Sequence, residues 1–184
     1  MVIMVVPQLL KRNYKKLPYA GATLGLSIVP WLLSLLDVKV DALTVFLYQT
    51  VIFMGAMLGS GYKYYDLFPW WDRVLHLFSG IMFFGYGVSF AKMVPEVRLA
   101  GTLIFSFALS LALHVIWEVI EFIIDSISHS DHQHWQKRSP IDNHQPTKAV
   151  QPPGLVDTMV DTIAGIVGAL VACLGWWIYL AWIS

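Results

Sequence analysis

Long apolar runs alternate with short polar links along this chain, and several of the runs are long enough to cross a bilayer. They cover roughly 17–36, 43–61, 73–94, 98–124 and 156–183, against the about 20 mainly apolar residues that a transmembrane helix needs. The links are brief except for 126–155, whose His, Pro, Gln and Ser content predicts loop. The first six residues are apolar too, but Pro7 and the basic cluster Lys11, Arg12, Lys15 and Lys16 cut them short, predicting an interfacial segment. Only helices or closed barrels satisfy their backbone groups in lipid. The pattern therefore predicts an all-α, polytopic integral membrane protein of about five spans, with 1–184 as a single helical domain.

Composition agrees with the pattern. Hydrophobic residues make up 57% of the chain and charged ones 13%, where soluble domains carry about 25% charged. Twelve basic and twelve acidic residues cancel, which leaves no electrostatic footprint for nucleic acid. The lone Cys173 excludes an intrachain disulfide and reads as a small packing residue. The N-terminus does not have the form of a cleavable signal peptide, because its basic residues follow the short apolar stretch.

The polar positions that interrupt the spans carry the chemistry. "WWDRVLHLFSG" opens the third span with Asp72 and His76 four residues apart, on one helical face. "HVIWEVIEFIID" closes the fourth with His114, Glu118, Glu121 and Asp125 in one stripe beside Trp117. "DTMVDTIAGIVGA" opens the fifth, where Gly165 and Gly168 continue the face of Asp157 and Asp161 and let another helix approach closely. The number of crossings puts the start of span three, the end of span four and the start of span five on the same side of the bilayer. A carboxylate in a membrane costs about 2.5–3.5 kcal/mol even on the lenient insertion scale, so such a gathering needs partners, water or a cation. Arg73 is a candidate counter-ion.

Lys and Arg favour the cytoplasmic side of short loops. One side holds Lys11, Arg12, Lys15, Lys16, Lys63, Arg73, Lys137, Arg138 and Lys148; the other holds Lys39, Lys92 and Arg98. This predicts a multi-pass cell-membrane protein with its N-terminus cytoplasmic, its C-terminus outside and the polar clusters in the cytoplasmic half. Tyr62, Tyr64, Tyr65, Trp70 and Trp71 anchor one interface, and Trp176, Trp177, Tyr179 and Trp182 the other.

Asp-Arg-x-x-His opening one span, acidic residues with Trp on the next, and Asp-Thr-x-x-Asp leading into a Gly-rich span resemble the YjdF-type family of bacterial inner-membrane proteins. More distantly the pattern is similar to that of VanZ-like proteins. The resemblance covers about residues 66–175. It implies a polytopic bacterial membrane protein with Asp72, His76, Glu118, Glu121, Asp157 and Asp161 as its characteristic polar positions, and it implies no particular reaction.

Carboxylates suit Mg, Ca or Mn, and joined by imidazole they suit Zn or Fe. The candidate ligands of a divalent ion (Mg, Mn or Zn) are Asp72, His76, His114, Glu118, Glu121, Asp157 and Asp161, with His76, Glu118 and Glu121 as candidate catalytic groups. The bland alternative is a hydrogen-bonded network that pins helices together. The loop string "HSDHQHW", with His129, Asp131, His132 and His134, reads as solvated, and Asp66 as meeting water. Gly55, Gly59, Gly80, Gly85 and Gly87 read as packing contacts. GxSxG, HExxH, Walker and dinucleotide-binding motifs are missing.

Three functions fit. A metal-assisted enzyme would act on a membrane lipid or lipid-linked substrate. A cation or proton transporter would use the acidic stripe as a path, although the outer half lacks polar residues to continue it. A non-catalytic protein would bind lipid or a partner.

Overall fold

The computed structural model describes residues 17–94, 96–128 and 153–183. All their regular structure is helical, and five helical segments are long and apolar enough to cross a membrane. The first span, Leu17–Ser34, is α1 (Leu17–Ser27) followed by α2 (Val29–Ser34). The break at Ile28 comes two residues before Pro30, which has no N–H with which to continue the α1 ladder. The second span, Ala42–Gly61, is α3 (Ala42–Ile52) continued by a nine-residue π-helical stretch, Phe53–Gly61. After it come the one-turn α4 (Tyr64–Leu67), α5 (Trp71–Ala91), α6 (Leu99–Ser128) and α7 (Pro153–Ile183).

These bounds match the predicted spans to within a few residues. The chief difference is at 126–155, both ends of which are helical: α6 runs on to Ser128 and α7 begins at Pro153. The interfacial segment at the N-terminus, the His-rich string from His129 to His134, Lys137, Arg138 and Lys148 lie outside the described residues.

The α5 helix is the centre of the bundle. Of its apolar window 56% is buried, against at most 22% in any other span. Small residues make that burial possible, because apolar contact alone gives helices in lipid little reason to associate. A Cβ on Gly80 would run into the Gly165 carbonyl of α7, and one on Gly168 into the Leu77 carbonyl of α5. Gly87 likewise lies against Ser106 of α6, and Gly85 against Thr44 of α3. A buried bond joins α6 to α5 here, from Ser110 Oγ to the Gly80 carbonyl at 3.0 Å.

Thr44 is held for its contact by the start of α3. Asp41 caps that helix by accepting from the Thr44 N–H at 3.0 Å, and its other oxygen accepts from the Thr44 hydroxyl at 2.7 Å. Beyond it, Tyr48 and Tyr86 meet edge to face at 5.8 Å with Met82 beside them, forming the apolar core of this half. Polar side chains do occur here, contrary to expectation. Ser89 and Ser106, both buried, bond back to the Gly85 and Thr102 carbonyls of their own helices. Local bonding of this kind lets a hydroxyl sit in an apolar bundle without building a polar route through it.

Candidate metal centre

At the opposite end, the first two turns of α5, the last part of α6 and the first turns of α7 converge. His76 stands in the middle. It is 4% exposed, beside His114 at 2%, Glu118 at 6% and Asp161 at 3%, all four surrounded by helix. Its Nε2 lies 3.4 Å from Oδ1 of Asp72, one turn back on α5. Its Nδ1 lies 2.9 Å from Nε2 of His114 and 3.7 Å from Oε1 of Glu118, both on α6. The imidazoles meet at 64° with centroids 4.8 Å apart.

The hydrogen bonds assign the protons. Nε2 of His114 also lies 3.1 Å from the Asp161 carbonyl, which can only accept. That nitrogen therefore carries the proton and donates to the carbonyl, with His76 Nδ1 as a second acceptor. The His76 proton then sits on Nε2 and faces the Asp72 carboxylate. This arrangement leaves the lone pair of His114 Nδ1 buried without a partner, and Glu118 Oε1 is buried without one as well. Thr158 of α7 hydrogen-bonds the Glu118 carboxyl. An unpaired buried acceptor costs about 1–3 kcal/mol, and His114 and Glu118 each carry one.

Donor atoms from His76, His114 and Glu118 lie within 4.8 Å of one another, as do donor atoms from Asp72, His76 and Asp161. The remaining acids fall to the side. Glu121 is half-buried, with Oε1 accepting from the Trp117 indole N–H at 2.7 Å. Asp157 is half-buried one turn before Asp161. The side chain of Asp125 lies outside the described residues. Arg73 is exposed and does not serve as counter-ion; helical geometry turns it about 100° from Asp72. Asp66 is exposed, as expected.

Two features of the site were hidden in the sequence. The His114 ring fills the space left by Gly165, where a Cβ would collide with the imidazole. The phenol of Tyr65 is the second. Its ring lies where a Cβ of Gly59 would be, and its hydroxyl lies 3.5 Å from where a Cβ of Gly55 would be. Burial pushes its pKa well above the usual value, so it stays protonated. Sequence spacing gave no cue, since Tyr65 precedes the third span and reads there as an interface anchor.

Comparison with known proteins places the chain. Residues 1–182 match the family described as predicted membrane protein DUF2238. The chain belongs to that family. It is also similar to a Thermotoga maritima protein called uncharacterized, with 25% identity over 119 residues, 64% of this chain and 53% of that protein. The aligned part thus spans about half the relative's length. No solved structure matches the chain.

Proposed function

We propose that this DUF2238 protein is a membrane-embedded, metal-assisted hydrolase acting on a lipid or lipid-linked headgroup from the cytoplasmic interface. The observation that carries the reading is that donor atoms of His76, His114 and Glu118 lie within 4.8 Å of one another while Glu118 Oε1 and His114 Nδ1 are buried and without a hydrogen bond. Two imidazoles and a carboxylate are a zinc donor set that leaves a fourth position open. His76, His114 and Glu118 are the ligands in this reading. Asp72 accepts the outward N–H of His76, the second contact that orients a metal-bound imidazole. When bound, the ion polarises the scissile phosphoryl or acyl group and acidifies water.

The chain's own groups do the rest. Glu121, held by Trp117 outside the ligand set, takes the proton of the attacking water. The water oxygen bonds to phosphorus or to the acyl carbon, the ester bond to the leaving oxygen breaks, and Glu121 returns the proton to that oxygen. Beyond Gly80, α5 buries Met82, Phe84, Tyr86 and Val88, which favours a blind-ended site over a transport path. The resemblance to YjdF-type proteins supports the choice of polar positions.

The test uses purified protein in nanodiscs of bacterial lipid extract, loaded with zinc and followed by lipid mass spectrometry. The wild type is expected to convert one lipid class to a product heavier by water and split at an ester, while Glu121→Gln converts none yet keeps its metal. Identical lipid profiles for wild type and variant overturn the reading.

A further inference from the structure

The zinc reading uses the side of His76 that meets α6. Its other side meets two carboxylates. Donor atoms of Asp72, His76 and Asp161 lie within 4.8 Å of one another, a second set that shares only the imidazole with the first. Helix packing brings the two acids together. α5 and α7 cross the bilayer in the same direction and touch where Gly80 meets the Gly165 carbonyl and Gly168 the Leu77 carbonyl. Asp72 lies about two turns before Gly80 and Asp161 about one turn before Gly165, toward the same interface. The Asp161 carbonyl accepts from Nε2 of His114 at 3.1 Å, which fixes the backbone that carries its carboxylate.

Oδ1 of Asp72 is engaged, 3.4 Å from Nε2 of His76, and its second oxygen is left for another partner. Asp161 is 3% exposed. No Lys or Arg among the described residues forms an ion pair with either acid, and Arg73 is exposed. Ionised, Asp72, Glu118 and Asp161 bring three negative charges, and a divalent ion beside Glu118 offsets two. A phosphomonoester headgroup would add about 1.5 to 2 more. Charge gathered in a membrane needs a counter-charge. Carboxylate oxygens suit Mg or Mn better than Zn. Mg is commonly held by one or two carboxylates, with waters and substrate phosphate oxygens in its other positions.

We propose that Asp72 and Asp161 hold a second, oxygen-preferring divalent cation, Mg(II) or Mn(II), beside the His76–His114–Glu118 ion, and that the pair of ions receives a phosphoryl group. The inference rests on the metal reading above and adds a second ion and a substrate class to it. A phosphoryl group has an oxygen for each ion, whereas an ester carbonyl presents one. The His76 N–H still donates to Asp72, so the second ion displaces no proton. Held by two carboxylates and water, it exchanges readily and is lost on purification, while zinc stays.

The experiment titrates full-length, zinc-loaded protein in detergent micelles with Mn(II) and reads the free ion by electron paramagnetic resonance. Wild type is expected to take up about one Mn(II) beside its zinc, and about tenfold more tightly in the presence of methyl phosphate. Asp161→Asn, which keeps the shape and the backbone carbonyl, is expected to retain zinc and to bind Mn(II) at least about tenfold more weakly. Co(II) in place of zinc in the wild type is expected to broaden the bound Mn(II) spectrum, since two paramagnetic ions at one centre couple. That comparison needs no variant, so the inference stays testable if Asp161→Asn does not fold. Zinc-loaded wild type that takes up no Mn(II), Asp161→Asn that binds it as tightly, or identical Mn(II) spectra beside Zn(II) and Co(II) overturns the second ion and leaves the zinc site standing. Mn(II) affinity unchanged by methyl phosphate overturns the phosphoryl assignment. Wild type that holds no zinc overturns the metal reading, and this inference with it.

Discussion

The imidazole of His114 on α6 occupies the space where a side chain on Gly165 of α7 would begin. Helix packing and site geometry are therefore one constraint: α7 approaches α5 through Gly165 and Gly168, and the same glycine face leaves room for the ring. An added methyl at 165 must move either the imidazole or the helix. Overpacking of this kind costs about 1–3 kcal/mol.

Gly165→Ala is accordingly expected to melt lower than wild type and to bind zinc at least about tenfold more weakly. Gly175→Ala is the control. It lies on the same helix with open space at its Cβ and should change neither property. Thermal melts and chelator competition on the two purified variants check both outcomes.

A second expectation concerns Asp72. Its carboxylate faces the His76 nitrogen that points away from Glu118 and His114. Asp72→Asn keeps the shape but removes the charge that makes the imidazole a better ligand. Zinc affinity should fall about 10- to 100-fold, as for other outer partners of metal-bound histidines. Asp66→Asn, at an exposed position six residues earlier, should leave it unchanged. Affinity that is equal in Asp72→Asn and wild type would mean that the His76–Asp72 contact serves packing alone.

Much of this cluster is legible in the sequence. Four-residue spacing advances a helix by about 40° per step, so Asp72 with His76, His114 with Glu118 and Asp157 with Asp161 each had to share a broad face. Crossing parity then put the three faces at one end. Periodicity could not rank the members of a stripe. The three-residue step from Glu118 to Glu121 turns back by about 60°, and that rotation separates an acid buried against His76 from one bonded to Trp117. Arg73 is the same lesson, adjacent in sequence and turned out of the cluster. Tyr65 was invisible for another reason: its position depends on a π-helical groove and a left-handed Lys63, and neither has a periodic signature.

Orientation is a separate expectation. The excess of Lys and Arg beside the polar end argues for a cytoplasmic N-terminus and an outward C-terminus. Alkaline phosphatase fused after residue 184 should be active, and green fluorescent protein at the same site dark. The reverse result would put the centre at the outer interface, where a substrate would have to be an outer-leaflet lipid.

Metal content tests the His76–His114–Glu118 site itself. Wild type, His114→Ala and Glu118→Gln would be purified from cells without chelators and analysed by elemental mass spectrometry against protein concentration. About one zinc per wild-type chain is expected, the single ion a His–His–Glu set holds, and little in either variant. The double variant should be scarcely worse than either single, because ligands of one ion act as a unit. Glu118→Gln and His114→Ala with the same metal content as wild type, in chains that remain folded, would rule out the His76–His114–Glu118 metal site and leave the buried cluster as a network that only holds helices together.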